Sequence, residues 1–338
     1  MSLALLPPVL VGLLPVLIFL AALRYLDSYK LVRLPAVVGA VACGALMAGL
    51  SYWVGGQVLG HFDIGIVAYS RYVAPLTEEA LKGLLIVALI RSHRIGFLVD
   101  AAIFGFAIGT GFALVENLYF LFLVPDAVMA TWVVRGFGAA IMHGGTTAIF
   151  ALMGLVMLER SAGTGWRAYA PGFALAVVIH SAFNHLSHEP KVATLAVMIA
   201  LPLLLFLVFE RSEVATRDWL GKGFDTDVQM LELLNSGRLA DSPTGRYLHA
   251  LRDHFKGPVL ADVLCYLRLY TELALRAKGL LMMRENGFEI ELDDEVKANL
   301  AELQYLEASI GKTGLSTVRP MLSMSHKDLW QIYLLKES

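Results

Sequence analysis

Three carboxylates, a lysine and two histidines fall within stretches otherwise apolar enough to cross a lipid bilayer. LTEEALKGLLIVALI, residues 76–90, carries Glu78, Glu79 and Lys82, and GFALVENLYFLFLV, residues 111–124, carries Glu116 and Asn117. Further on, Arg135 precedes MHGGTT with His143, and HSAFNH places His180 and Asn184 one helical turn apart. A charged side chain at the centre of a membrane helix costs about 2.5–3.5 kcal/mol on insertion scales, so the three glutamates together cost roughly 8–10 kcal/mol before partners are counted. Lys82 is spaced to share a helix face with Glu78 or Glu79. One ammonium cannot neutralise two carboxylates, and a third waits on the next apolar stretch.

Clustered Glu and His with Asn nearby suit hydrolysis of an amide. A carboxylate takes a proton from water, a neutral imidazole or a bound divalent cation lowers that water's pKa, and an amide or protonated imidazole holds the oxyanion. Two routes stay open at this level. In one, His143, His180 and a carboxylate bind Zn²⁺ or another divalent metal, and a second Glu is the base. In the other, Glu and His activate water with no metal. The chain has no His-Glu-x-x-His pattern on one helix, so any ligands come from separate spans.

The elements that must position these groups follow from hydropathy. The 338-residue chain is 57% hydrophobic with a mean hydropathy of +0.65, far above a soluble domain. Residues 1–209 hold 11 Lys+Arg and 9 Asp+Glu, and residues 210–338 hold 16 and 20, so the chain divides into a membrane body and a water-soluble tail. The near-zero net charge of −2 and the absence of a basic cluster with interleaved aromatics exclude nucleic acid as a partner. Cys43 and Cys265 belong to different solvents and read as small core residues, not a disulfide.

At about 20 apolar residues per helix, seven spans are expected: 3–23, 34–54, 72–90, 97–124, 127–158, 168–186 and 191–209. The first lacks the basic start of a signal peptide and reads as a true span. Arg24, Lys30, Arg33, Arg91, Arg94, Arg160, Arg167, Arg211 and Arg217 fall on one side; the other side offers Lys191, with Arg71 at the outer end of the third span. The positive-inside rule then puts the N-terminus outside and the tail in the cytoplasm. By helix rise, Glu78, Glu79, Glu116 and His180 lie about 9–12 Å below the outer end of their spans, in one layer. The fifth span is too long for a straight crossing, which leaves the depth of His143 open. Gly105, Gly109 and Gly111 clear one side of the fourth span for a close neighbour.

The tail reads as helical. Its signals are Ser242 before Pro243, a 3–4 apolar spacing over 260–286 stopped by Gly287, and Ser325-x-x-Asp328 ahead of the last helix. It shows no catalytic constellation, and a regulatory role or a cytoplasmic partner is expected of 210–338. The fold class is therefore all-α: a bundle of about seven membrane helices with a C-terminal helical domain.

The order EEALK (Glu78, Glu79, Lys82), FALVEN (Phe112, Glu116, Asn117), His143 and His180 resembles the PrsW family of intramembrane proteases over about residues 20–209. It resembles more distantly the CAAX-prenyl protease superfamily, with its Glu-Glu pair, Phe-x-x-x-His and His-x-x-x-Asn motifs. The resemblance implies an endopeptidase of the bacterial cytoplasmic membrane, usually labelled a metalloprotease, acting on a membrane-anchored protein at its outer side. It implies catalytic roles for Glu78, Glu79, Glu116, His180 and Asn184, metal binding by Glu116, His143 and His180, and support from Lys82, Asn117 and Arg135. Glu116 stands where the CAAX-type motif has His, so prenylated substrates are not expected.

Intramembrane carboxylates with Lys and His also describe a proton-coupled transporter or channel. Against that reading, no motif recurs as an inverted repeat, and the polar groups gather in one layer without lining a path across the membrane. The charge asymmetry makes a direct prediction: reporter fusions after residue 60 read outside and fusions after residue 215 read inside. Reversal of both would refute the orientation.

Overall fold

The computed structural model describes residues 6–124, 126–160, 165–288, 293–318, 321–322 and 326–337. Every regular element among them is helical. The chain divides into two compact units at Ser212 and Glu213.

The first unit contains α1 (Leu6–Leu26), α2 (Leu34–His61), α3 (Ala74–Arg91), α4 (Leu98–Leu123), α5 (Ala140–Arg160), α6 (Ala170–His185) and the first part of α7 (Pro190–Asn235). Proline marks the starts: Pro35, Pro75 and Pro171 stand in the first turn of α2, α3 and α6, where the missing N–H has no helical partner to lose. A π-helical turn, Tyr69–Val73, leads into α3, and another, Val134–Ala139, leads from a short helix, Met129–Val133, into α5.

A helix lies within each of the seven expected spans, but only five described helices are long and apolar enough to cross a membrane: Leu6–Leu26, Leu34–His61, Leu98–Leu123, Met129–Arg160 and Pro190–Asn235. The two that fall short are α3, which carries Glu78, Glu79, Lys82 and Arg91, and α6, only 16 residues long. Both carry site residues.

The centre of the unit is α4, every residue of which from Val99 to Ala113 is buried, packed chiefly against α5 and α2. Glycine sets how closely they approach. A Cβ on Gly105 would come within 2.6 Å of Ala148 Cα, and one on Gly109 would strike the His143 carbonyl and come within 2.6 Å of Gly144 Cα. Gly111 does not share their face as expected. A Cβ there would strike Val41 of α2, because two residues turn a helix by about 200°.

The α1–α2 connection tucks Asp27 inside, where it accepts from the Val32 N–H at 3.3 Å and burial pushes its carboxyl up to about 6. Cys43 is not a core residue: it lies on the outward face of α2, where an apolar surrounding suits a thiol as well as a core does.

The second unit holds the rest of α7, then α8 (Pro243–Ala250), α9 (Gly257–Glu285), α10 (Asp294–Val318, kinked at Gly311) and α11 (His326–Glu337). Ser242 caps α8, accepting from the Gly245 N–H at 2.9 Å, and Gly287, at φ 81°, stops α9. The expected cap at Ser325 lies outside the described residues. Leu267, Leu273, Ala277 and Leu281 of α9 form the core with Leu300, Leu303 and Leu306 of α10, and Cys265 points outward. Lys278 is buried on Asp227 (2.6 Å) and Gln331 (3.0 Å), which satisfies its charge inside this unit.

The close α4–α5 approach predicts that Gly109→Val overpacks that seam, at a cost of about 1–3 kcal/mol. Gly39→Val, where an added Cβ meets nothing within 4 Å, serves as the control. Thermal unfolding in detergent should show a lower Tm for Gly109→Val alone; equal Tm values would contradict this packing.

Candidate active site

The polar residues of α3, α4, α5 and α6 meet in one place. Glu79, on the buried face of α3, has one oxygen, Oε1, that collects three donors. Lys82 Nζ donates at 2.7 Å from the next turn of the same helix, Thr146 Oγ1 at 3.3 Å from α5, and His180 Nδ1 at 2.8 Å from α6. Glu79, Lys82 and His180 are all 3% exposed or less, so these bonds replace water that cannot reach them.

Lys82 reaches further, with Nζ 3.2 Å from His143 Nδ1 and 4.9 Å from the centre of the Phe112 ring. An ammonium only donates, so Nδ1 accepts, and the proton of a neutral His143 sits on Nε2. That nitrogen donates to Glu116 Oε2 at 3.0 Å. Glu116 also lies 3.0 Å from Arg135 Nη2, and Arg135 Nε donates to Asn117 Oδ1 at 2.8 Å while its guanidinium covers the Phe120 ring. The Asn117 amide in turn donates to the Gly12 carbonyl of α1 at 2.7 Å. Glu116, Asn117 and Arg135 thus form one rim of the cluster.

The same reasoning applied to His180 leaves an open atom. Its Nδ1 proton is given to Glu79, so a neutral ring keeps a lone pair on Nε2. Nε2 faces Glu78 Oε2 across 3.9 Å, too far for a hydrogen bond, and that oxygen is buried with no hydrogen-bond partner. One ligand atom from each of Glu78, His143 and His180 lies within 4.8 Å of the others. Two histidines and a carboxylate are a donor set that divalent zinc accepts, and an unsatisfied buried oxygen beside an imidazole lone pair fits a cation. Glu78 and His180 offer atoms without a hydrogen-bond partner, whereas both nitrogens of His143 are engaged, one by Lys82 and the other by Glu116. The carboxylate grouped with the two histidines is Glu78, while Glu116 accepts from His143 Nε2.

Asn184 lies apart from the carboxylates. Its amide donates to the Ser70 carbonyl at 2.8 Å, and Ser181 Oγ donates to the Arg71 carbonyl at 2.7 Å. Both acceptors belong to the π-helical turn before α3, so α6 grips the segment that aims Glu78 and Glu79. Thr146 and Ser181 went unassigned in the sequence, although each had a legible signal: Thr146 is three residues after His143 on the same helix face, and Ser181 follows His180.

Comparison with known proteins identifies a family. A family model described as PrsW family intramembrane metalloprotease matches residues 30–209, a little over half of the chain, and covers every polar residue of this cluster except the Gly12 carbonyl. Neither curated proteins nor solved structures gave a match.

The buried Glu79–Lys82 pair makes a stability prediction. Lys82→Met leaves Glu79 without its closest cation, and breaking a buried pair in this way costs about 3–5 kcal/mol. The double variant Glu79→Gln/Lys82→Met should recover most of that loss. A single variant as stable as the parent in thermal melts would show that the pair does not hold the bundle.

Proposed function

The chain belongs to the PrsW family of intramembrane metalloproteases, an integral membrane protease, and from that premise we propose that its active site is the Glu78, Glu79, Glu116, His143 and His180 cluster. Its reaction is hydrolysis of a peptide bond in a membrane-anchored protein. The observation that carries this reading is the open pair, Glu78 Oε2 facing His180 Nε2, beside a carboxylate and a guanidinium on the rim.

Glu78, His143 and His180 would hold the divalent cation, which when bound lowers the pKa of a water and polarises the scissile carbonyl. The rest falls to the chain's own side chains. Glu79 holds the His180 Nδ1 proton and so keeps Nε2 aimed at Glu78, as carboxylates do behind metal-binding histidines. Lys82 neutralises Glu79.

Glu116 is the proton acceptor. Glu79 Oε1 is occupied by three donors, Glu78 would be a ligand, and the Glu116 side chain remains 20% exposed beside Arg135. As the water oxygen bonds to the carbonyl carbon, its proton passes to Glu116. Glu116 returns that proton to the leaving nitrogen as the C–N bond breaks. Arg135 Nη2, which lies near Glu116 without an aligned hydrogen bond, has N–H groups to offer the oxyanion. Asn184 acts as a positioning residue through Ser70. The residues of the tail take no part in the chemistry, and their role is to recruit or select a partner. The N-terminus lies outside and the tail in the cytoplasm.

Full-length protein reconstituted in lipid nanodiscs with a helical membrane peptide tests this reading. Glu116→Gln should slow cleavage by about 10²–10⁴-fold with normal insertion. Glu79→Gln should weaken metal affinity by about 10–100-fold, and a strong chelator should inhibit until metal is restored. Wild-type cleavage by Glu116→Gln would overturn the assignment of the base. Full activity of metal-free protein would overturn the ligand set and favour water activation by Glu and His alone.

A further inference from the structure

A cavity of about 340 Å³ lies between α5, α6 and α7 within the first unit. Its volume is at the low end of the range for ligand sites, about 300–1,000 Å³. Its walls are apolar side chains throughout, apart from one hydroxyl, that of Thr146. This composition offers a polar ligand no second partner.

The position of that hydroxyl gives the cavity its meaning. Thr146 donates to Glu79 Oε1, so the floor of the cavity is one side chain away from the carboxylate that orients His180. Met142 and Gly145 of the floor flank His143 along α5, and Ile179 of the wall adjoins His180 on α6. At the other end the cavity opens outward: Val178 is 62% exposed and Leu204 38% exposed, on helices whose outer faces are apolar. Small residues keep the passage clear. Ala182, Ala196 and Ala200 line it, and a Cβ on Gly145 would come within 2.5 Å of Leu201 Cδ2.

We propose that this cavity is the specificity pocket of the protease, receiving a bulky apolar side chain of the substrate's membrane segment next to the scissile bond. The inference rests on the proposed proteolytic function and adds what that site selects. A peptide bond brought to Glu78 and His180 places neighbouring side chains near α5 and α6, and this cavity is an apolar recess lined by both helices. Entry from the lipid side also means that the side chain never has to pass through water.

The test uses peptides identical except for one residue beside the cleavage site, carrying Gly, Ala, Leu or Phe, presented to the full-length protein in nanodiscs. Mass spectrometry locates the cut. The wild type should prefer Leu and Phe. Ala182→Phe and Ala196→Phe fill the recess from residues that are themselves exposed, so the ring is added without crowding a buried position. Each should shift the ratio of kcat/KM for Leu over Ala by at least about tenfold towards Ala, the scale on which hydrophobic pockets discriminate. Leu201→Ala, which enlarges the recess, should shift the ratio of Phe over Leu the opposite way.

Unchanged ratios in the variants would overturn the proposal and mean that the groove holds only lipid acyl chains. Uniform loss of all four peptides by folded variants would overturn it too, because a specificity pocket changes ratios. If the wild type cleaves none of the peptides, the proteolytic reading itself fails; if it cleaves them and the ratios do not move, only the pocket fails.

Discussion

A carboxylate buried among apolar helices must be met by donors that replace water, and Glu79 Oε1 is met by three. Lys82 comes from its own helix, Thr146 from α5 and His180 from α6. Each bond is charge-assisted and dry, so none is easily exchanged for another arrangement. The register of α3, α5 and α6 is therefore fixed at one oxygen atom. Glycine does the same for α4: with no side chain at Gly105 and Gly109, α5 comes close enough for His143 to reach Glu116. Packing and polarity specify the same geometry.

That constraint separates engaged atoms from open ones. Glu79, Lys82 and both nitrogens of His143 have partners, whereas Glu78 Oε2 and His180 Nε2 face each other without a hydrogen bond. A protein holds a buried oxygen unsatisfied only against a structure that over-determines it. Here the over-determination comes from Glu79 behind His180, and from Ser181 and Asn184 of α6 holding the turn that leads into α3. The cluster draws on both kinds of helix: Glu78, Glu79 and His180 come from the two helices too short or too charged to cross a membrane, and Glu116 and His143 from long apolar ones.

Much of this was legible in the sequence, because lipid leaves few reasons for a buried charge. Glu78, Glu79, Lys82, Glu116, His143 and His180 stood out against apolar spans, and they meet. Arg135 and Asn117 were named from the sequence only as supporting residues; that they join Glu116 in one rim is seen in the structure. What was not legible depended on rotation and depth. Gly111 faces α2 and not α5, since helical phase separates it from Gly109. The depth of His143 stayed open because no hydropathy count reveals the π-helical turn, Val134–Ala139, that precedes α5. Asn184 shares a turn with His180, yet it serves a backbone carbonyl, a partner that has no sequence signature. Cys43 faces outward because an apolar residue on a membrane helix satisfies lipid as readily as a core.

In the proposed reading the Glu79-centred network presents Glu78 and two histidines as one ligand set. X-ray absorption at the metal edge, on the purified protein in nanodiscs, tests it most directly. Nitrogen and oxygen ligation with two imidazoles is expected, falling to one imidazole in His180→Ala and losing a carboxylate in Glu78→Gln. A spectrum unchanged by both substitutions, from protein that binds metal elsewhere, would contradict it.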